Sequence, residues 1–493
     1  MDRLSGLDAS FLYFETPAHL MHVCGLIVLD PSTMPVPYDF AQVRETLRER
    51  LEVTPAFRRK LHSPLLNLDH PVWVDDEDFD IEHHVRRAAV PSPGGRRELA
   101  ALCADIAGQP LDRSRPLWEM WVIEGYREDA TDAAPLLAVM TKMHHATVDG
   151  VSGASLVSEL CSLEPDAPPF GAQKEPEPTP KRPRDRAIVL GGLLGVARRP
   201  LHLANVLPHT LTAVPDWIGR ARRGAAMPAP FTAPRTSFNG TITGHRSIAF
   251  TRLDLDAVKE IKNAFGTTVN DVVLAMCSGA LRRYLDDNGE LPGASLVAMV
   301  PVSVHGKTKR GGTNKVSGMF ASLSSDVADP VRRLRAIAAA NRVAKEHHGT
   351  LSASLLQDWA QFAAPNTFGL AVRLYSKLRL ADRHPVVHNL VISNVPGPQL
   401  PIYLLGARIV GFYPFGPVFH GAALNITVLS NDGHVDVGLI AARESAPDLW
   451  SLADDLPLAL DELLTAARAP AGGSRAGSLG AGSPRRRQPA GQG

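Results

Sequence analysis

Cysteine is scarce in this chain of 493 residues. There are four, Cys24, Cys103, Cys161 and Cys277, far apart and with no C-x-x-C pair. That spacing argues against a disulfide frame or a zinc site, and fits reduced, mostly buried thiols in a cytosolic protein. Long apolar runs are missing as well. The longest uninterrupted stretch, 187–197, falls short of the roughly 20 residues that span a bilayer. The opening Met1-Asp2-Arg3-Leu4-Ser5-Gly6 has no basic region followed by an apolar core, so no secretory leader is expected. Charge of one sign is also lacking: 52 Lys and Arg against 51 Asp and Glu leave a net +1. Such balance rules against a broad nucleic-acid surface and against a highly charged disordered chain. What remains is 44% hydrophobic and 21% charged, the profile of a soluble globular protein with a substantial core. At roughly 100–200 residues per domain, the length corresponds to two to four domains.

Composition divides the chain. Residues 165–183 hold seven prolines, a density that neither a helix nor a central strand survives, so they read as an exposed connector. In 186–224, apolar pieces (Ile188, Leu190, Leu194, Leu203, Trp217) alternate with arginines (Arg198, Arg199, Arg220, Arg222). This segment reads as an interfacial amphipathic element or as a helix covering a domain junction. The last stretch, 470–493, is Gly, Ala, Pro, Ser and Arg without an acid; it reads as a disordered tail, with anionic lipid as one conceivable contact. The expected organisation is an N-terminal unit 1–163, a linker with basic segment 164–235, a C-terminal unit 236–467 and the tail 468–493.

Both units mix strands and helices, which places the fold in the α/β class. In the first, 23–29 and 136–143 read as strands, with helices at 40–51 and 96–108 and a helical pattern at 151–163. In the second, 254–265 and 268–285 read as helices and 296–302 and 386–392 as strands. A hairpin is expected from 424–429 and 435–440 around Asn431-Asp432-Gly433.

The most informative string is His144-His145-Ala146-Thr147-Val148-Asp149-Gly150, where an apolar strand ends and a helical pattern begins. A side chain there projects from a rigid element. An imidazole with an ordinary pKa near 6.5 is largely neutral at pH 7 and accepts a proton, as a general base must. Asp149, four residues on, fixes the turn, caps the helix start or pairs with an arginine; Gly150 permits a sharp bend. A metal reading lacks a third ligand at a suggestive spacing, and a serine hydrolase lacks its G-x-S-x-G. His83-His84 has no D-G after it and reads as non-catalytic.

With these residues in place, the chain resembles the bacterial wax ester synthase/diacylglycerol acyltransferase family of the HHxxxDG superfamily. The likeness rests on His144–Gly150 and on further blocks: Leu4-Ser5-Gly6-Leu7-Asp8-Ala9-Ser10-Phe11-Leu12 with Met21-His22-Val23, Phe57-Arg58-Arg59-Lys60-Leu61, and Pro110 to Trp118. In the second half it rests on Asn270-Asp271, Pro301-Val302-Ser303, Ile392 to Pro398 and Ala423 to Thr427. A family-like block stands here as Gly312-Thr313-Asn314-Lys315-Val316-Ser317.

The resemblance implies two chloramphenicol-acetyltransferase-like subdomains with the active site in a channel between them. It implies transfer of a long-chain fatty acyl group from acyl-CoA to the hydroxyl of diacylglycerol or of a fatty alcohol. His145 is expected as general base and His144 as its support. Asp149 is expected to be structural, and Asn270 an oxyanion donor or a helix cap. No Ser or Cys accompanies the motif, so direct attack without an acyl-enzyme is expected. Gly150 and Pro116-Leu117-Trp118 are candidates for substrate contact, the latter three equally for packing. No cofactor or metal is implied; acyl-CoA is a substrate. The implied partners are acyl-CoA, the lipid acceptor and a membrane or lipid-droplet surface bound peripherally from the cytoplasm, with no nucleic acid. Two rival readings share the motif: a carrier-protein-dependent condensation or transesterification enzyme, and an inactive lipid-binding homologue.

Overall fold

The computed structural model describes residues 3–52, 54, 57–63, 70–128, 134–147, 157, 159–169, 215–303, 316–350 and 365–469. Asp149, Gly150, most of the 151–163 pattern, most of the connector, residues 186–214, Gly312 to Lys315 and the tail from 470 onward lie outside the described residues.

In the first half, α1 (Gly6–Phe14) starts at Ser5, whose hydroxyl oxygen accepts the Asp8 N–H at 3.1 Å. After it come β1 (His22–Asp30), α2 (Phe40–Glu52), β2 (Arg59–His62), β3 (Val72–Asp75) and β4 (Val85–Ala89). Then follow α3 (Arg96–Ala107), β5 (Trp118–Tyr126), β6 (Leu136–His144) and β7 (Cys161–Ser162). The alternation of β1 explains its double burial. Cys24, Leu26 and Val28 face Leu99, Cys103 and Ala104 of α3, while Ile27 and Leu29 face Val43, Leu47 and Leu51 of α2. β6 is apolar almost throughout because helices cover both faces of its sheet.

The second half runs β8 (Arg246–Asp254), α4 (Leu255–Phe265), α5 (Val269–Asp287), β9 (Val297–Ser303), β10 (Val316–Ser322), α6 (Pro330–Thr350) and α7 (Pro365–Lys377). It continues with β11 (Leu390–Pro396), β12 (Tyr403–Leu404), β13 (Ala407–Phe415), β14 (Leu424–Asn431), β15 (His434–Ala442) and α8 (Leu449–Arg468). Asp254 caps α4, and Thr268 with Asp271 forms a capping box on α5. Asp432 and Gly433 both have positive φ, as the tight hairpin between β14 and β15 requires. α4, α5, α6 and α8 bury the apolar face of a six-stranded sheet ordered β10-β9-β11-β14-β15-β8.

The seven-stranded sheet, ordered β4-β5-β6-β1-β13-β12-β7, ties the halves together. β13 leaves the second half and pairs antiparallel with β1, and β12 pairs with β7. Strand pairing therefore crosses the expected boundary between 163 and 236. Two contacts hold the sheets close. Asp436 of β15 accepts from Arg252 Nε and from the backbone N–H of Phe412 in β13, both at 2.8 Å. Gly438 lies so near β13 that a Cβ there would sit 2.1 Å from the Pro414 carbonyl oxygen.

Two expectations shift. The helical pattern assigned up to Leu163 gives way at Cys161–Ser162 to a short strand, because the ladder with β12 claims those backbone groups. The strand placed at 386–392 begins at Leu390, after the buried Asn389 side chain accepts the Val297 N–H. Of the amphipathic segment, the described end packs against the second half: the Trp217 ring stacks on Phe320 at 5.9 Å and its N–H donates to the Met227 carbonyl. The four cysteines are all buried and unpaired.

Candidate active site

β6 delivers His144 and His145 to its C-terminal end, beside β1. In the antiparallel register His22 stands directly opposite His144, with ring centroids 6.2 Å apart. The pairing continues one step beyond the strand, where the His145 N–H donates to the Met21 carbonyl at 2.7 Å.

The two histidines have different surroundings. His144 is buried, and its Nδ1 accepts the Ala146 N–H at 3.0 Å. That contact places the proton on Nε2, which lies 3.6 Å from Glu15 Oε2. His22 Nε2 approaches the other Glu15 oxygen at 3.5 Å. Arg113 Nε donates to Glu15 Oε2 at 3.0 Å, and a guanidinium N–H donates to the Leu12 carbonyl at 2.8 Å. Glu15 follows the end of α1, so one carboxylate joins that helix to both strand ends.

Burial works against ionisation of Glu15, but His144, His22 and the Arg113 charge outweigh it and hold the group well below the usual carboxylate range. Burial pushes His22 down to about 4 and also lowers His144, against the pull of Glu15. At neutral pH both imidazoles are thus neutral, and Arg113 supplies the counter-charge to Glu15.

His145 is half-buried, and Phe11 of α1 stacks on its ring with centroids 4.3 Å apart and an interplanar angle of 26°. α1 therefore fixes both members of the pair, one through Glu15 and one through Phe11. The α1–β1 connection is also where the halves meet. Arg246 of β8 donates to the Ala18 carbonyl at 2.7 Å, and His19 lies 5.1 Å from Phe419 and 5.7 Å from His420, ring to ring.

Of the other candidates, Leu117 and Trp118 are packing residues. Leu117 is fully buried with Leu4, Ala9, Leu12 and Ala146, packing behind the turn that bears His145. Trp118 stacks on His84 at 4.6 Å and donates its ring N–H to the Phe57 carbonyl at 2.7 Å. Pro116 and Trp118 line a surface cavity of about 160 Å³ with His83, Arg86 and Arg115; neither His144 nor His145 borders it. Asn270 sits within the first turn of α5, half-exposed; the cap is Thr268, so Asn270 is not the cap. Its neighbour Asp271 is buried and accepts from Asn341 at 2.7 Å.

Glu15, Phe11, His22 and Arg113 were not among the candidates read from sequence. Phe11, His22 and Arg113 lie inside blocks that carried the resemblance, which was the available signal.

Residues 4–273 match the family described as the wax ester synthase/diacylglycerol acyltransferase catalytic domain, and 312–464 match its C-terminal domain. A Mycobacterium tuberculosis protein assigned by name as a diacylglycerol O-acyltransferase is 50% identical over 94% of this chain and 90% of its own. The solved wax ester synthase/diacylglycerol acyltransferase from Marinobacter aquaeolei VT8 is 33% identical, covers 95% of this chain and 100% of its own, and superposes with a TM-score of 0.68. The first condensation domain of the calcium-dependent antibiotic synthetase superposes at 0.54 over 95% of this chain and 97% of its own; at 14% identity it shares the fold alone.

Proposed function

The chain belongs to the wax ester synthase/diacylglycerol acyltransferase family and is an acyltransferase, and on that premise we propose that it moves a long-chain fatty acyl group from acyl-CoA to the hydroxyl of diacylglycerol. Long-chain alcohols are the second acceptor class, after the double name of the Marinobacter relative.

One observation carries the assignment of roles: the histidine pair is divided. The His144 ring accepts the Ala146 N–H and lies beside Glu15, while His145 is only half-buried at the strand end. In this reading His145 takes the proton from the acceptor hydroxyl as its oxygen attacks the thioester carbonyl. The tetrahedral intermediate then collapses, the C–S bond breaks, and the imidazolium returns the proton to the departing CoA thiolate. Asn270 is the candidate donor to the oxyanion. His144, Glu15 and Arg113 position the turn. Asp149 and Gly150, outside the described residues, complete the motif. Such base assistance contributes about 10²–10⁴-fold to the rate.

The test is direct. Purified protein is given palmitoyl-CoA with dioleoylglycerol, with hexadecanol or with neither, and the released thiol and the ester are both measured. Acceptor-dependent release with triacylglycerol as product supports the reading. Release only with hexadecanol would reassign the acceptor, and no release with either alcohol would remove the function.

A further inference from the structure

Among the described residues, α7 packs through one of its faces. Phe368 meets Phe14 of α1 edge-on at 4.8 Å, and the Tyr375 hydroxyl donates to His384 Nε2 at 2.5 Å. Phe368 holds the helix on α1, the element whose Phe11 stacks on His145, and Tyr375 ties it to the segment that follows. The opposite face carries Leu370 and Leu374, and Leu378 follows directly after the helix; they are 58%, 46% and 52% exposed. At spacings of four they form one stripe along the helix. Phe231, 57% exposed, sits edge-on to the same His384 and extends the apolar surface. Single exposed leucines need no explanation, but a contiguous row does.

The charge around the row points to its occupant. Arg373 and Lys377 are exposed beside the leucines, and Arg379 and Arg383 are exposed just past the helix end. Asp382 is the acid among them, bound to Arg379 at 2.8 Å and to the Thr241 N–H at 2.7 Å. An apolar stripe edged by cations is the pattern of a helix that lies in a lipid interface. A second copy of the chain fits poorly, since a two-fold contact would set these cations against their own images.

We infer that α7 and Phe231 dock the enzyme on an anionic phospholipid surface, through the leucine row inserted among the acyl chains and Arg373, Lys377, Arg379 and Arg383 on the headgroups. The inference goes beyond the acyl transfer and does not depend on which alcohol is the acceptor. It sets α1, and through it His145, next to the phase in which lipid substrates dissolve.

The experiment is flotation of the full-length protein with vesicles containing no substrate. One set is phosphatidylcholine with an equal part of phosphatidylglycerol, the other phosphatidylcholine alone. Binding to the anionic set is expected to fall about tenfold or more when Leu370→Ser, Leu374→Ser and Leu378→Ser are combined. Each basic residue near the surface contributes about fivefold, so Arg373→Glu with Lys377→Glu is expected to lose at least roughly twenty-fold at low salt and to approach wild type at high salt. Thiol release with a dissolved medium-chain alcohol checks that the variants remain folded, and Leu374→Ser alone serves as the milder change. Wild-type binding by the leucine and charge variants overturns the proposal, whatever the basic tail contributes. So does a wild-type dimer that the leucine changes dissolve while vesicle binding persists. Loss of flotation with retained turnover on the dissolved alcohol supports it.

Discussion

Replacing Glu15 with Gln tests how far the histidine pair depends on the buried carboxylate beside it. The carboxylate accepts from Arg113 at 3.0 Å and lies 3.5 Å from His22 Nε2 and 3.6 Å from His144 Nε2. The amide has nearly the same shape but one acceptor oxygen and an NH₂ group. At least one imidazole N–H or the guanidinium must then face another donor. Breaking a fully buried ion pair costs about 3–5 kcal/mol. Here the Arg113 side chain is 50% exposed and turns to water, so a loss of about 2 kcal/mol in stability is expected, within the range of charged hydrogen bonds. The larger effect is on turnover. Without its anchor His144 no longer fixes the turn, and displacing a catalytic group by about 1 Å costs roughly 10²-fold. kcat with palmitoyl-CoA and dioleoylglycerol should fall by about that factor, with KM for the acyl-CoA little changed. Because Glu15 acts through the imidazole, the same change made in a His145→Ala background should cost no further activity. A Gln variant with wild-type kcat would refute the reasoning, as would losses that simply add in the double variant.

Acid should destabilise the fold well before ordinary carboxylates titrate. Burial pushes His22 down to about 4 and His19 to about 3, so the unfolded chain binds more protons below about pH 6.5. Glu15, held low in the fold, acts in the same direction below the usual carboxylate range. Thermal midpoints should therefore fall as pH drops from 6.5 toward 4, each histidine contributing about 1.4 kcal/mol per pH unit within its window; a flat profile would contradict this. Gly438→Ala should lower the unfolding free energy by about 1–3 kcal/mol, read from a denaturation series, since its Cβ would collide with the backbone of β13; a neutral result would mean the sheets separate freely. Asp436→Ala removes a buried carboxylate that serves both Arg252 and the Phe412 N–H, and should cost about 3 kcal/mol in a denaturation series.

Local chemistry made much of the molecule legible in the sequence. The hairpin at Asn431-Asp432-Gly433, the helices beginning near 254 and 268 and the apolar strand before His144 are each decided by a few adjacent residues. What escaped depends on distance along the chain. Arg113 and Glu15 are 98 residues apart, and nothing near either announces the other. The joining of β13 to β1 pairs residues nearly 400 apart, and no periodicity encodes a partner. Asn270 looked like a cap because it precedes an apolar run, but Thr268, with Asp271 three positions on, closes the capping box and leaves Asn270 inside the first turn. The outward face of α7 was hidden for a related reason. Its leucines have helical spacing, and spacing alone does not say which face meets the core.

The central claim is that His145 is the base, and replacing it with Ala tests this most directly. Thiol release from palmitoyl-CoA with dioleoylglycerol should fall by at least about 10²-fold. His144→Ala, by contrast, should lower both activity and the thermal midpoint, because that ring is built into the fold. His145→Ala should melt close to the wild type, losing the stacking contact with Phe11. Retained acceptor-dependent release without the His145 imidazole would contradict it.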